Sequence, residues 1–176
     1  MKNLLVLIIA LFAFFGCGED ESSSANFKEF SPNEEIKLVD VSGKELTLVR
    51  KDHGFAIKND ENKVLMIDIF GTFCPPCQKE AAELTKYQLE NKDKFTLIGL
   101  THFENVTNEY VLHEFMQKFN AYYFITNDQK INDRLAEQIV RDIEYKHEIA
   151  LPFKVVIKNG EYQILTDVDS GQYGVK

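Results

Sequence analysis

Val64–Glu80 reads VLMIDIFGTFCPPCQKE, and this stretch decides the fold. Its first seven residues are apolar except for Asp68, the pattern of a strand buried on both faces. A helix is predicted from about Pro76 to Asn91. Proline suits the start of a helix, because the amide it lacks would have no intrahelical partner there. Cys74 falls where strand passes to helix, and Cys77 one helical turn further on. Asp68 is the charged exception in the strand. Its carboxyl is either buried, with desolvation raising its proton affinity, or at a strand edge facing water.

Outward from this stretch, strands and helices alternate. Upstream, Ile36–Val49 (IKLVDVSGKELTLV) reads as a β-hairpin turning at Ser42-Gly43. Downstream, Phe95–Leu100 (FTLIGL) is a second continuous apolar strand. Val111, Leu112, Phe115, Met116 and Phe119 then recur at helical spacing within Thr107–Phe119, a stripe that reads as core. Ala121–Thr126 is a short strand, and Ile131, Leu135, Ile139 and Ile143 mark another helix. Pro152–Lys158 and Glu161–Thr166 form a closing hairpin around Asn159-Gly160. There is no internal repeat and no second linker. The pattern predicts one α/β domain over residues 35–176, a central mixed β-sheet flanked by helices, with an N-terminal β-hairpin and an αβ insertion.

The chemistry lies in Cys74-Pro75-Pro76-Cys77. At a helix N-terminus, the dipole and the free backbone N–H groups stabilise a thiolate. The thiolate is the nucleophile of disulfide exchange, so this position activates Cys74. Cys77 is within reach to attack a mixed disulfide on Cys74 and release the partner reduced. Competing chemistries fit less well. Zinc needs further ligands, and His53, His102, His113 and His147 show no paired spacing. Haem attachment needs His after the second Cys, where Gln78 stands. A purely structural disulfide across so short a loop would constrain the unfolded chain little. Neither Pro75 nor Pro76 has an N–H, so a Cys74 thiolate depends mainly on the Cys77 N–H and the dipole. Fewer charge-assisted bonds predict a more reducing couple than that of a strong oxidant.

Val64–Glu80 resembles the active-site strand and helix of the thioredoxin superfamily. Leu151-Pro152, followed by FKVVIKNGEY, resembles its cis-proline, the strand after it and the glycine turn. The hairpin and the Phe95–Leu151 segment are similar to the layout of the TlpA/ResA-like branch, exported and membrane-tethered thiol-disulfide oxidoreductases. The resemblance implies that Asp68 accepts the proton of Cys77 and that Pro152, in the cis form, faces the dithiol and shapes the docking surface. It also implies a redox-active Cys74–Cys77 disulfide with no metal and no cofactor. Glu80 either tunes Cys77 or favours the helix dipole. The chain departs from the family in having no Trp: Phe70 and Phe73 flank the motif, and Leu151 precedes the proline.

The N-terminus and the composition bear on location. Leu4–Phe15 is an unbroken apolar run after Lys2, followed by Gly16-Cys17-Gly18. The run is too short to span a bilayer as a helix and has the layout of an export signal. Gly16-Cys17 resembles the lipobox of bacterial lipoproteins, with Phe14 where Leu is usual. Residues 1–16 are thus expected to be a signal peptide, Cys17 a lipidation site, and residues 17–34, Ser-rich and acidic, a flexible tether. Acylation of Cys17 would leave Cys74 and Cys77 as the thiols among the three cysteines. The net charge of −8 argues against a nucleic-acid partner.

Together these readings predict an enzyme on the periplasmic side of a bacterial membrane, lipid-anchored and reducing disulfides of periplasmic proteins. Cytochrome c maturation and thiol quality control are the two pathways the resemblance implies. Electrons would come from a membrane donor, since no glycine-rich nucleotide motif is present. The alternatives are a disulfide oxidase or isomerase using the same residues, and a copper metallochaperone of the same fold. The relatives that deliver copper use a C-x-x-x-C spacing and a partner His.

Overall fold

The computed structural model describes residues 27–167 and 171–173. The expected leader and Cys17 lie outside the described residues. Among the described residues no helix is long and apolar enough to cross a membrane.

The central sheet has the order β6-β5-β4-β7-β8. It is built from β4 (Val64–Phe70), β5 (Phe95–Thr101), β6 (Phe124–Thr126), β7 (Phe153–Lys158) and β8 (Glu161–Tyr162). β4 pairs parallel with β5, and β5 with β6, whereas β7 runs antiparallel to β4. β4 is therefore interior, which explains its nearly continuous apolar sequence. A second sheet, β1 (Glu35–Val39), β2 (Glu45–Lys51) and β3 (Gly54–Ile57), is an antiparallel meander. The predicted hairpin is present and extended by β3, whose four residues are too few to register as a strand pattern although all are buried.

Each face of the central sheet carries its own core. On one face, Leu65, Ile67 and Ile69 pack with Leu38, Leu48 and Phe55 of the second sheet. Leu135 and Ile139 of α4 (Gln129–Asp142) complete that cluster. On the other, Phe70 and Leu97 pack under Cys77 and Ala81 of α1 (Pro75–Glu90) and with Val111 and Phe115. These last two sit on a π-helical stretch, Val111–Met116, flanked by the short α2 (Asn108–Tyr110) and α3 (Gln117–Phe119). The helix expected over Thr107–Phe119 is thus widened in its middle, a change that apolar spacing does not reveal.

Two sequence expectations are corrected. The strand expected over Glu161–Thr166 pairs with β7 only at Glu161 and Tyr162. Residues from Leu165 pair elsewhere: β9 (Leu165–Asp167) meets β10 (Gly171–Tyr173). The packed body also begins before residue 35, inside the stretch expected as tether. Phe30 is buried, edge-on to Phe55, with the Arg134 guanidinium 3.6 Å from its ring centroid. Phe27 lies under Arg141. Cation–π contacts with α4 hold aromatic side chains whose neighbours in sequence are polar.

Asp68 pairs with Gly99 on β5 and with Lys154 on β7. A Cβ at Gly99 would stand 2.9 Å from the Phe70 ring, 3.1 Å from Tyr123 and 3.2 Å from Ile125. All three neighbours are buried. Gly99→Ala is accordingly expected to destabilise the protein by about 1–3 kcal/mol through overpacking, read as a lower urea midpoint. An unchanged midpoint would show that the rings shift freely.

Candidate active site

Cys74 is the N-cap of α1, in extended backbone conformation, with Pro75 and Pro76 as the first two helical residues. The prolines remove N–H groups that would otherwise point at the sulfur. The Cys77 N–H donates to Cys74 Sγ at 3.4 Å. Cys74 and Cys77 form a disulfide, and both are buried at the end of the helix. Inside α1 the buried positions are Cys77, Ala81 and Thr85, a spacing of four that turns one narrow stripe to the sheet.

The loop before the nucleophile is held by side chains. Thr72 N–H donates to Glu104 Oε1 at 2.8 Å, and its hydroxyl donates to the other carboxylate oxygen. Gln78 Nε2 donates to the Thr72 carbonyl at 2.7 Å. The His102 N–H donates to the Phe70 carbonyl, joining the chain after β5 to the chain after β4. Of the two aromatic residues flanking the motif, Phe70 is buried against Phe115, while Phe73 is 57% exposed beside the dithiol. Phe103 is likewise exposed and has φ +60°, a conformation a bulky residue seldom adopts. None of Thr72, Gln78, Phe103 or Glu104 carries a sequence motif; their roles depend on a loop contact between distant segments.

Asp68 is 1% exposed, on the sheet face covered by α1. Of the two placements open to it, burial is the one observed. Burial pushes its carboxyl up to about 6, against the pull of the Lys154 ammonium; the Glu80 carboxylate adds a smaller upward push. Lys154 Nζ lies 3.0 Å from Asp68 Oδ1, within ion-pair distance. The approach is off the hydrogen-bond direction, however, and Oδ1 accepts no hydrogen bond. Lys154 also donates to Glu80. Glu80 lies beyond the first helical turn, which holds no acidic residue, so its clear partner is this lysine rather than the helix terminus. Lys154 is one of two lysines in an otherwise apolar strand, Phe153–Lys158; the register across β4 and β7 gives it meaning.

The Leu151–Pro152 peptide bond is cis. Pro152 directly precedes β7, where Phe153 pairs with Ile69, so it stands level with the end of β4 that leads to Cys74. Among the described residues no three His, Cys, Asp or Glu side chains gather where they could hold a metal ion.

No protein-family model matches the chain, and no curated protein matches it. Solved structures do. A proposed protein disulfide isomerase from Bacteroides thetaiotaomicron is 23% identical, covering 77% of this chain and 76% of its own, with a TM-score of 0.54. A thioredoxin-family thiol:disulfide interchange protein from Chlorobium tepidum is 19% identical, covering 82% and 88%, at 0.53. The thioredoxin domain of a thiol-disulfide oxidoreductase from Bacteroides vulgatus is 16% identical, covering 84% and 89%, at 0.52. Likeness at these identities speaks to architecture, and with the mixed sheet, the flanking helices and the N-terminal meander it leads to one conclusion: the chain has the thioredoxin-like fold.

Proposed function

We propose that this protein is a thiol-disulfide oxidoreductase that reduces disulfides of other exported proteins. The observation carrying this reading is the Cys74–Cys77 pair at the start of α1, with Cys74 Sγ accepting the Cys77 N–H. In the reduced enzyme the Cys74 thiolate attacks one sulfur of a partner disulfide. The partner's S–S bond breaks, one partner sulfur leaves as thiolate, and a mixed disulfide forms on Cys74. Cys77 then gives its proton to the Asp68 carboxylate, attacks Cys74 Sγ, and the second partner sulfur leaves. Two electrons have passed from the dithiol to the partner, and the enzyme holds the disulfide seen here. Pro152, at the edge of this site, shapes where an extended partner chain docks.

The same reading places the protein on the periplasmic face of a bacterial membrane, held by lipid on Cys17 and recharged by a membrane electron donor. No cofactor is needed, since the dithiol itself carries the electrons. Redox titration of the full-length protein against glutathione or dithiothreitol buffers tests the direction. A midpoint near about −270 mV is expected for a reductase, whereas one near about −120 mV would turn the assignment to an oxidase.

A further inference from the structure

Phe103 projects from the chain after β5, 61% exposed and with φ +60°. A lone exposed aromatic residue needs no explanation. This one stands in left-handed backbone, where Gly or Asn would sit with less strain. Strain of that kind persists only where surrounding contacts impose it, and both neighbours of Phe103 do so. The His102 N–H donates to the Phe70 carbonyl at 2.8 Å, and its ring Nδ1 lies 2.9 Å from Asp133 Oδ1 on α4. Glu104 accepts from both the N–H and the hydroxyl of Thr72.

The tripeptide is therefore fastened at both ends. One end holds the last residue of β4; the other holds the turn that the Cys74 N–H closes onto the Gly71 carbonyl at 3.1 Å. Phe103, between the two fastenings, is turned outward, its ring resting on that of His102 with centroids 4.0 Å apart. Phe73 is exposed on the same turn, folded back over Gly71, where a Cβ would stand 2.6 Å from its ring. The adjacent carboxylates are engaged, Glu104 by Thr72 and Asp133 by His102. What this stretch presents beside the dithiol is apolar.

Building on the exchange reading, we infer that Phe103 is a specificity-determining residue. With Phe73 it forms an apolar docking surface for an aromatic or large aliphatic side chain next to the disulfide-bonded Cys of an extended partner segment. A partner sulfur has to reach Cys74, and Cys74 directly follows Phe73, so the chain bearing that sulfur must cross this turn. The surface is already set in the free enzyme by the fastenings at His102 and Glu104, so docking orders little besides the partner. A strained backbone that displays an apolar ring at this place gives the ring a use in recognition that its packing does not supply.

The test gives reduced full-length protein, in detergent, a pair of Gly/Ser peptides joined to glutathione through a single Cys. One peptide carries Phe beside its Cys and the other Ser. Wild type is expected to prefer the Phe peptide by about tenfold in kcat/KM, mainly through KM. Phe103→Asn, which suits left-handed backbone, should bring that ratio to about one, with a urea midpoint equal to or above that of wild type. Phe103→Tyr should keep the preference. A residue with a merely structural role would slow both peptides alike, so an unaltered ratio in Phe103→Asn overturns the proposal. A midpoint that falls overturns it too, since the ring would then serve stability. Gel filtration covers the remaining occupant: a dimer that Phe103→Asn dissolves would assign the surface to a second copy and refute the proposal. If wild type reduces neither peptide, the exchange reading fails instead. NMR of the Phe103 ring with peptides carrying Ala for Cys then decides the docking separately: the Phe peptide must shift the ring signals and the Ser peptide must not, and an unmoved ring refutes the surface.

Discussion

Replacing Cys77 by Ala is expected to stop the exchange halfway and leave partner proteins covalently attached to Cys74. Turnover with a disulfide substrate should fall by at least about 10³-fold, because the group that breaks the mixed disulfide is gone while the attacking thiolate is kept. The trapped species should run as higher-mass bands that collapse to monomer with dithiothreitol. Cys74→Ala should lose turnover to a similar extent and trap nothing, because Cys77 sits inside the first turn facing the sheet, whereas Cys74 caps the helix end. This asymmetry separates nucleophile from resolving thiol. Equal trapping by both variants would mean that the two sulfurs are interchangeable and that the helix terminus does not select between them. The identity of the captured proteins would also name the substrates, with c-type cytochrome precursors indicating one pathway and unrelated exported proteins the other.

Asp68→Asn is expected to make the protein more stable and less active together. The carboxyl is displaced from its ordinary value of 3.8 up to about 6 by burial, which corresponds to about 3 kcal/mol. The folded-state value lies above the unfolded one, so this contribution to stability is fully present below about pH 4. It is lost as pH rises through about 6, where the folded protein must carry a buried charge. Above pH 7, Asn avoids that cost, and the variant should exceed wild type by up to about 3 kcal/mol, less whatever Lys154 loses when left with Glu80 alone. Near pH 4 the two should be alike. Urea unfolding of both oxidised proteins at pH 4 and pH 7.5 measures this, and parallel pH dependences would refute a buried, displaced carboxyl. The same variant should slow the resolving step by about tenfold or more, since Asn cannot accept the Cys77 proton. Sites that work by holding a charge in a poor medium carry this opposition between stability and rate.

The strand–helix junction was legible because three local signals coincide there: an apolar run broken only by Asp68, two prolines where a helix can tolerate them, and two cysteines one turn apart. The N-terminal meander and the closing hairpin were only partly legible. β3 is four residues long, and β8 ends after two because the chain leaves to form β9 with β10. Short strands have too few alternations to show a period, and pairing partners distant in sequence decide where they stop. The π-helical turns and the docking of Phe27 and Phe30 on α4 were illegible for a related reason, since each depends on what the neighbouring element presents.

The order of residues alone determined that a strand would feed a helix capped by a cysteine, and that a second sulfur would sit one turn inside, because helix and strand periods and the missing proline amides are local properties. Only the tertiary structure decided what surrounds them. Lys154 meets Asp68 through an antiparallel register spanning 86 positions of chain, Glu104 grips Thr72 across a gap between loops, and Gly99 opens the space that Tyr123 fills. Those contacts join residues whose spacing along the chain carries no periodicity, so they come into being only when the sheet assembles and sets the charges beneath the dithiol.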